Sequence, residues 1–204
     1  MKTGAPRLFR RSIVLAAAGI LAVLLTACTG SGGGSLPANE LAGFSGKASF
    51  AFNFSCEDKG GINPQTGRLR LQLTYTDHGR NPIGSSFSIQ GTADELDPVL
   101  ESAICIGQDP PPGGNELIFL GRYRPTTPPP TGFPSTCPTR ETKTTPLCRF
   151  EVTVRDIDGN LAGSKGDFFS IELSSDTAVT SELDPTTVFY ARAGYLESGN
   201  LTVR

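Results

Sequence analysis

From residue 47 onward apolar and polar residues alternate with a period of two, and that pattern does most to constrain the fold. In 47–56 (KASFAFNFSC) Ala48, Phe50, Phe52, Phe54 and Cys56 share one side, opposite Lys47, Ser49, Asn53 and Ser55. In 68–76 Leu69, Leu71, Leu73 and Tyr75 oppose Arg68, Arg70, Gln72 and Thr74. Phe87 and Ile89, then Cys148, Phe150, Val152 and Val154 against Arg149, Glu151, Thr153 and Arg155, repeat the pattern. Phe169, Ile171 and Leu173 follow, and then Leu201 and Val203. Successive side chains of an extended chain point to opposite faces, so each run reads as a half-buried antiparallel strand. Leu117-Ile118-Phe119-Leu120 and Val188-Phe189-Tyr190-Ala191 are apolar on both sides, and read as central strands or strands with a loop laid over them.

Turn residues separate these runs: Gly60-Gly61, Asp77-His78-Gly79, Asp158-Gly159-Asn160 and Gly199-Asn200. Together they predict an all-β domain over residues 43–204, a single antiparallel β-sandwich or flattened barrel of about eight or nine strands. Composition agrees: 24 Gly and 16 Pro with one Met and no Trp argue against a helical bundle. Asp97-Pro98 can start one short helix over 98–104. Residues 108–115 (QDPPPGGN) and 124–147 are Pro-rich and form two long loops.

Before the domain the chain is different. Lys2, Arg7, Arg10 and Arg11 precede a wholly apolar or Gly run from Ile13 to Leu25. Thirteen helical residues rise only about 20 Å, short of a hydrocarbon core of about 30 Å, so residues 1–27 read as an export signal. Leu25-Thr26-Ala27-Cys28 resembles the lipobox of bacterial lipoproteins. The resemblance implies cleavage before Cys28, a diacylglyceryl thioether on its sulfur and an acylated new amino terminus. It also implies a protein held to the bacterial membrane, the outer one where present, its domain facing the periplasm or cell surface. Acyl chains at about 0.8 kcal/mol per buried CH₂ hold a soluble domain at a bilayer. Residues 28–42, with TGSGGGSL at 29–36, then read as a Gly/Ser-rich tether. The first 27 residues carry four basic groups and no acid, so 18 basic residues become 14 against 20 acidic, a net charge of −6. That balance does not favour nucleic acid as a partner.

With Cys28 assigned to lipid, Cys56, Cys105, Cys137 and Cys148 remain, an even set in an oxidising compartment. Three pairings are possible; the preferred one is Cys137–Cys148, closing the Pro-rich loop onto its strand, with Cys56–Cys105.

The order of pieces from Gly43 onward also resembles the post-COAP-1 domain, a β-rich module of bacterial exported proteins. The residues that carry this are 46–52 (GKASFAF), 67–78, Phe119-Leu120-Gly121, 150–156 (FEVTVRD), 166–171 (GDFFSI), Gly194-Tyr195-Leu196 and 199–203. The connections at 92–115 and 124–147 are longer than in that pattern. The resemblance implies a β module with no catalytic residues to carry over.

One polar constellation suits a cation. Asp156, Asp158 and Asn160, with Asp167 beyond, space oxygen ligands as Ca²⁺ prefers, although Gly159 is not where an EF-hand loop needs it. The competing reading is a hairpin turn, so no metal or other cofactor is assigned. His78 beside Asp77 reads as a turn residue with Asp77 bonding its own backbone. Asp94, Glu95 and Asp97 read as a solvated patch, and the aromatics as core. The expectation is a lipid-anchored cell-envelope protein with a non-catalytic domain for binding, adhesion or structural support. Its partners are the membrane, through the N-terminal lipid, and an envelope protein or glycan. The alternatives are a calcium- or carbohydrate-binding module on the same anchor and, further off, a hydrolase.

Overall fold

The computed structural model describes residues 29–57, 68–92, 115–142, 145–157, 166–178 and 183–203. Nine strands form among them: Thr29–Leu36 (β1), Ala48–Glu57 (β2), Arg68–Asp77 (β3), Phe87–Thr92 (β4), Glu116–Pro125 (β5), Cys148–Arg155 (β6), Phe168–Ser174 (β7), Val188–Tyr195 (β8) and Ser198–Val203 (β9). They make one antiparallel sheet in the order β8-β7-β6-β5-β4-β3-β2-β1-β9. Strands β1 to β8 are a meander, and β9 swings round to pair with the free side of β1.

The sheet curls until its inner face closes on itself. Phe50 of β2 stacks on Phe169 of β7 with ring centres 3.7 Å apart, although four strands lie between them. Phe52 and Phe54 meet Phe119 of β5 at 5.3 and 5.5 Å. The alternating residues Phe50, Phe52, Phe54, Leu71, Leu73, Phe150, Val152, Val154, Phe169, Ile171 and Leu173 are all buried, at about 1.5–3 kcal/mol for each large side chain. The all-β flattened barrel follows directly from the period-two pattern.

Strand β1 departs from expectation. The glycine-rich stretch 29–36, expected within a tether, is a strand hydrogen-bonded on both sides, to β2 and β9. Its glycines serve crowding rather than flexibility. A Cβ at Gly30 would lie 2.4 Å from Leu117 Cδ2, and one at Gly34 2.4 Å from the Ser198 carbonyl oxygen. Residues 40–42 form a 3-10 turn capped by the Asn39 side chain. Gly199-Asn200, expected as a turn, lies within β9, with Gly199 at φ 116°. Arg149, expected on the solvent side, is 1% exposed, because the chain around Asp176 folds over it.

The loop after β5 is pinned as expected by the disulfide Cys137–Cys148, with Cα atoms 5.4 Å apart. Phe133 in that loop packs on Phe189 at 5.2 Å and on Tyr123 at 6.0 Å. Strand β8 is therefore an edge strand with a loop over its first half, the second of the two placements open for Val188–Ala191. Residues 1–27, Cys28, Cys105, the Cys56 side chain, the 98–104 segment and residues 108–114 of the first Pro-rich loop lie outside the described residues.

Candidate functional site

The two ends of the sheet, β8 and β9, follow each other in sequence but do not pair. The seam between them holds the fold's main buried polar chemistry.

On the β8 side, Tyr190 and Arg192 point into the barrel and meet Asp77, the last residue of β3. Arg192 Nη1 donates to Asp77 Oδ2 at 2.9 Å, and Nη2 donates to the carbonyls of Pro37 and Gly46, each at 2.8 Å. Tyr190 Oη donates to the same Asp77 oxygen at 2.8 Å and lies 2.5 Å from Tyr75 Oη. Asp77 Oδ1 accepts from the Gly79 amide at 3.2 Å. The guanidinium lies 4.6 Å from the centre of the Phe44 ring. Asp77 is fully buried and Arg192 is 4% exposed, so this buried ion pair bridges β3, β8 and the β1–β2 connection. Burial raises the Tyr75 and Tyr190 phenols well above their usual range; for Tyr190 the adjacent Tyr75 and Asp77 push the same way. Both phenols are neutral hydrogen-bonding groups at physiological pH.

On the β9 side the seam is closed by carboxylates. Asp167 Oδ2 accepts from the Leu201 amide at 2.8 Å, and its Oδ1 from the Ile157 amide at 3.2 Å. Asp156 Oδ2 accepts from the Val203 amide at 3.3 Å. Leu201 and Val203 are two apart, so their N–H groups face one way, and two buried side chains replace the missing strand partner. Asp156 and Asp167 of the candidate cation set thus have backbone donors aimed at them, whereas Asp158 and Asn160 lie outside the described residues. Among the described residues no group of three or more His, Cys, Asp or Glu side chains could hold a metal ion. His78 Nε2 lies 2.8 Å from Ser49 Oγ on the exposed face of β2.

Above Arg192, on the outer side of the seam, a groove of about 370 Å³ runs along β8. One wall is Leu36, Pro37, Ala42 and Phe44; the other is the outer face of β7 and β8, with Ser170, Glu172, Ala191 and Ala193. The outward residues of β8 that line the groove, Ala191 and Ala193, are small, so the backbone there is open to approach. Sequence reasoning placed Asp77 in a turn and did not single out Tyr75, Tyr190 or Arg192. Their partners lie 113 to 115 residues apart along the chain, and no local spacing signals such a pairing. The one hint in residue order is a lone arginine, Arg192, set directly after the apolar run 188–191.

No family model, curated protein or solved structure matches the chain.

Proposed function

We propose that the protein is a cell-envelope lipoprotein, attached to a bacterial membrane through Cys28, whose β domain binds a partner through the groove beside β8. The observation that carries the binding reading is the state of the groove's polar floor. Arg192 spends its donors on Asp77 and two carbonyls, so it shapes the groove rather than offering a reactive group to it. A concave site with small and apolar walls and a few fixed polar groups suits recognition. The likeness of residues 43–204 to the post-COAP-1 domain accords with a non-catalytic module.

The anchor rests on the residues around Cys28 and is tested by metabolic labelling with palmitate: the chain takes up label and Cys28→Ser does not. Label retained in Cys28→Ser refutes the anchor. The groove is tested with a photo-crosslinker placed in living cells at Ala42, on its rim, or at Thr74, on the exposed face of β3. Adducts at Ala42 and none at Thr74 support the groove; equal adducts at both refute it.

A further inference from the structure

Strand β8 ends the sheet, and its ladder parity can be read from its neighbours. The Leu196 amide donates to the Asp167 carbonyl, and that pair continues the β7–β8 register. In an antiparallel ladder hydrogen-bonded and non-bonded pairs alternate, so Tyr190, Arg192 and Gly194 bond to β7. The N–H and C=O groups of Ala191, Ala193 and Tyr195 therefore point away from the sheet. Among the described residues no hydrogen bond reaches them. All three are exposed, and Ala191 and Ala193 line the groove. An unpaired edge with an open flank is a template for one more strand.

Register also specifies what that strand should carry. On the outer face Glu151, Glu172 and Ala191 lie in one row across β6, β7 and β8. Glu172 sits beside Ala191 in that row, so its carboxylate is the charge that a cation on a new strand would meet. A residue facing Ala191 from a new strand lies about 10 Å from Glu172 at strand spacing, and the alanine methyl leaves that path clear. A lysine or arginine spans it. Two residues away Ala193 and Ser170 call for a small polar side chain. At Tyr195 the row continues to Phe168, whose ring centre is 5.7 Å from that of Tyr195, and favours an aromatic.

Resting on the reading of this groove as the binding site, we infer that the free edge of β8 takes up an extended peptide as an added antiparallel strand, with a basic residue facing Ala191 and an aromatic one facing Tyr195. A second copy of the chain fits less well: pairing two β8 edges about Ala193 sets Tyr195 of one against Ala191 of the other and offers no cation to Glu172.

The test uses the full chain in detergent micelles and the fluorescent peptide Ser-Phe-Val-Thr-Val-Lys-Ser, read by anisotropy. Its Phe, Thr and Lys face Tyr195, Ala193 and Ala191. Saturable binding is expected, weakened at least about tenfold by Ala193→Pro, which removes an edge donor that the fold itself does not use. Methylating the Thr or Lys backbone nitrogen should weaken binding comparably, whereas methylating the Val nitrogen between them should not, because that N–H points away from β8. This contrast needs no folded variant. Exchanging the peptide Lys for Glu should abolish binding, and Glu172→Lys should restore it. Absence of saturable binding, or indifference to which amide is methylated, overturns the inference. Self-association lost in Ala193→Pro, without peptide binding, overturns it in favour of a second copy. Adducts at Ala42 alongside such a failure would leave the groove standing and remove only the strand-addition mode.

Discussion

The Asp77–Arg192 pair gives the sharpest test of how the barrel is held shut. Replacing Asp77 by Ala leaves the Arg192 guanidinium buried with two carbonyl acceptors and no counter-charge, and leaves the Tyr190 hydroxyl without its carboxylate. Removing one partner of a buried ion pair costs about 3–5 kcal/mol, much of it the charge left behind. Arg192→Met should cost a similar amount, since it strands Asp77 and frees two carbonyls. The double variant removes both charges from the interior, so its loss should fall short of the sum by about 1–3 kcal/mol. Urea unfolding measures all three, with an unchanged m-value as the check that the transition stays comparable. In a domain of this size each kcal/mol moves Tm by about 2–4 °C, so either single variant should melt roughly 6–20 °C lower. A loss below about 1 kcal/mol for Asp77→Ala, or strict additivity in the double variant, would refute the account of a buried, coupled closure.

Other parts of the molecule give independent tests. Tyr75, Tyr123 and Tyr190 have phenols raised by burial, so the stability they contribute is intact below the unfolded value near pH 10 and is lost as pH climbs above it. Each phenol contributes up to about 1.4 kcal/mol per pH unit there, so tyrosinate absorbance should rise together with loss of far-ultraviolet dichroism; smooth ionisation of a folded domain contradicts this. Gly34→Val puts a branched side chain where Ser198 O already lies 2.4 Å from an ideal Cβ, and should lower stability by about 1–3 kcal/mol or more. A neutral result in thermal melts would mean that β1 is not held between β2 and β9. Cys137→Ser with Cys148→Ser opens a loop of sequence separation 11 and should cost about 3 kcal/mol by loop entropy. Asp167→Ala leaves the Leu201 and Ile157 amides without acceptors, at about 1–3 kcal/mol each, and should speed hydrogen exchange at Leu201 ahead of the core strands.

The strands that alternation marks are the ones whose stability comes from a single buried face, so β2, β3, β4, β6 and β7 are legible from residue order alone. Strand β1 is not, because its role is to be thin. Its glycines let β9 and the Leu117 side chain come close, and a run of glycines carries the same letters whether it serves crowding or freedom. The seam was hidden for another reason. Tyr75, Asp77, Tyr190 and Arg192 come together only after the sheet has curled through the six strands from β3 to β8, and a pairing made by tertiary geometry leaves no periodicity to find. Asp156 and Asp167 were visible as polar residues, but whether such oxygens face a cation or a backbone N–H depends on where β9 passes, which the local sequence does not encode.

The pairing of β1 with β9 has a consequence for the order in which the chain can fold. Every strand pairing from β2 to β8 joins consecutive strands, yet Gly30 pairs with Val203, across nearly the whole chain. Until residues 198–203 are available, β1 has one partner, its other side stays open, and neither Asp156 nor Asp167 has the β9 amide that it accepts from. Long-range pairing of this kind slows folding, because the loop must close before the contact stabilises anything. The meander can therefore collapse early and locally, while the lock on the barrel is the last event. A chain cut short of residue 198 should then accumulate as a collapsed sheet with a glycine-lined edge exposed, a species prone to pair with its own copies.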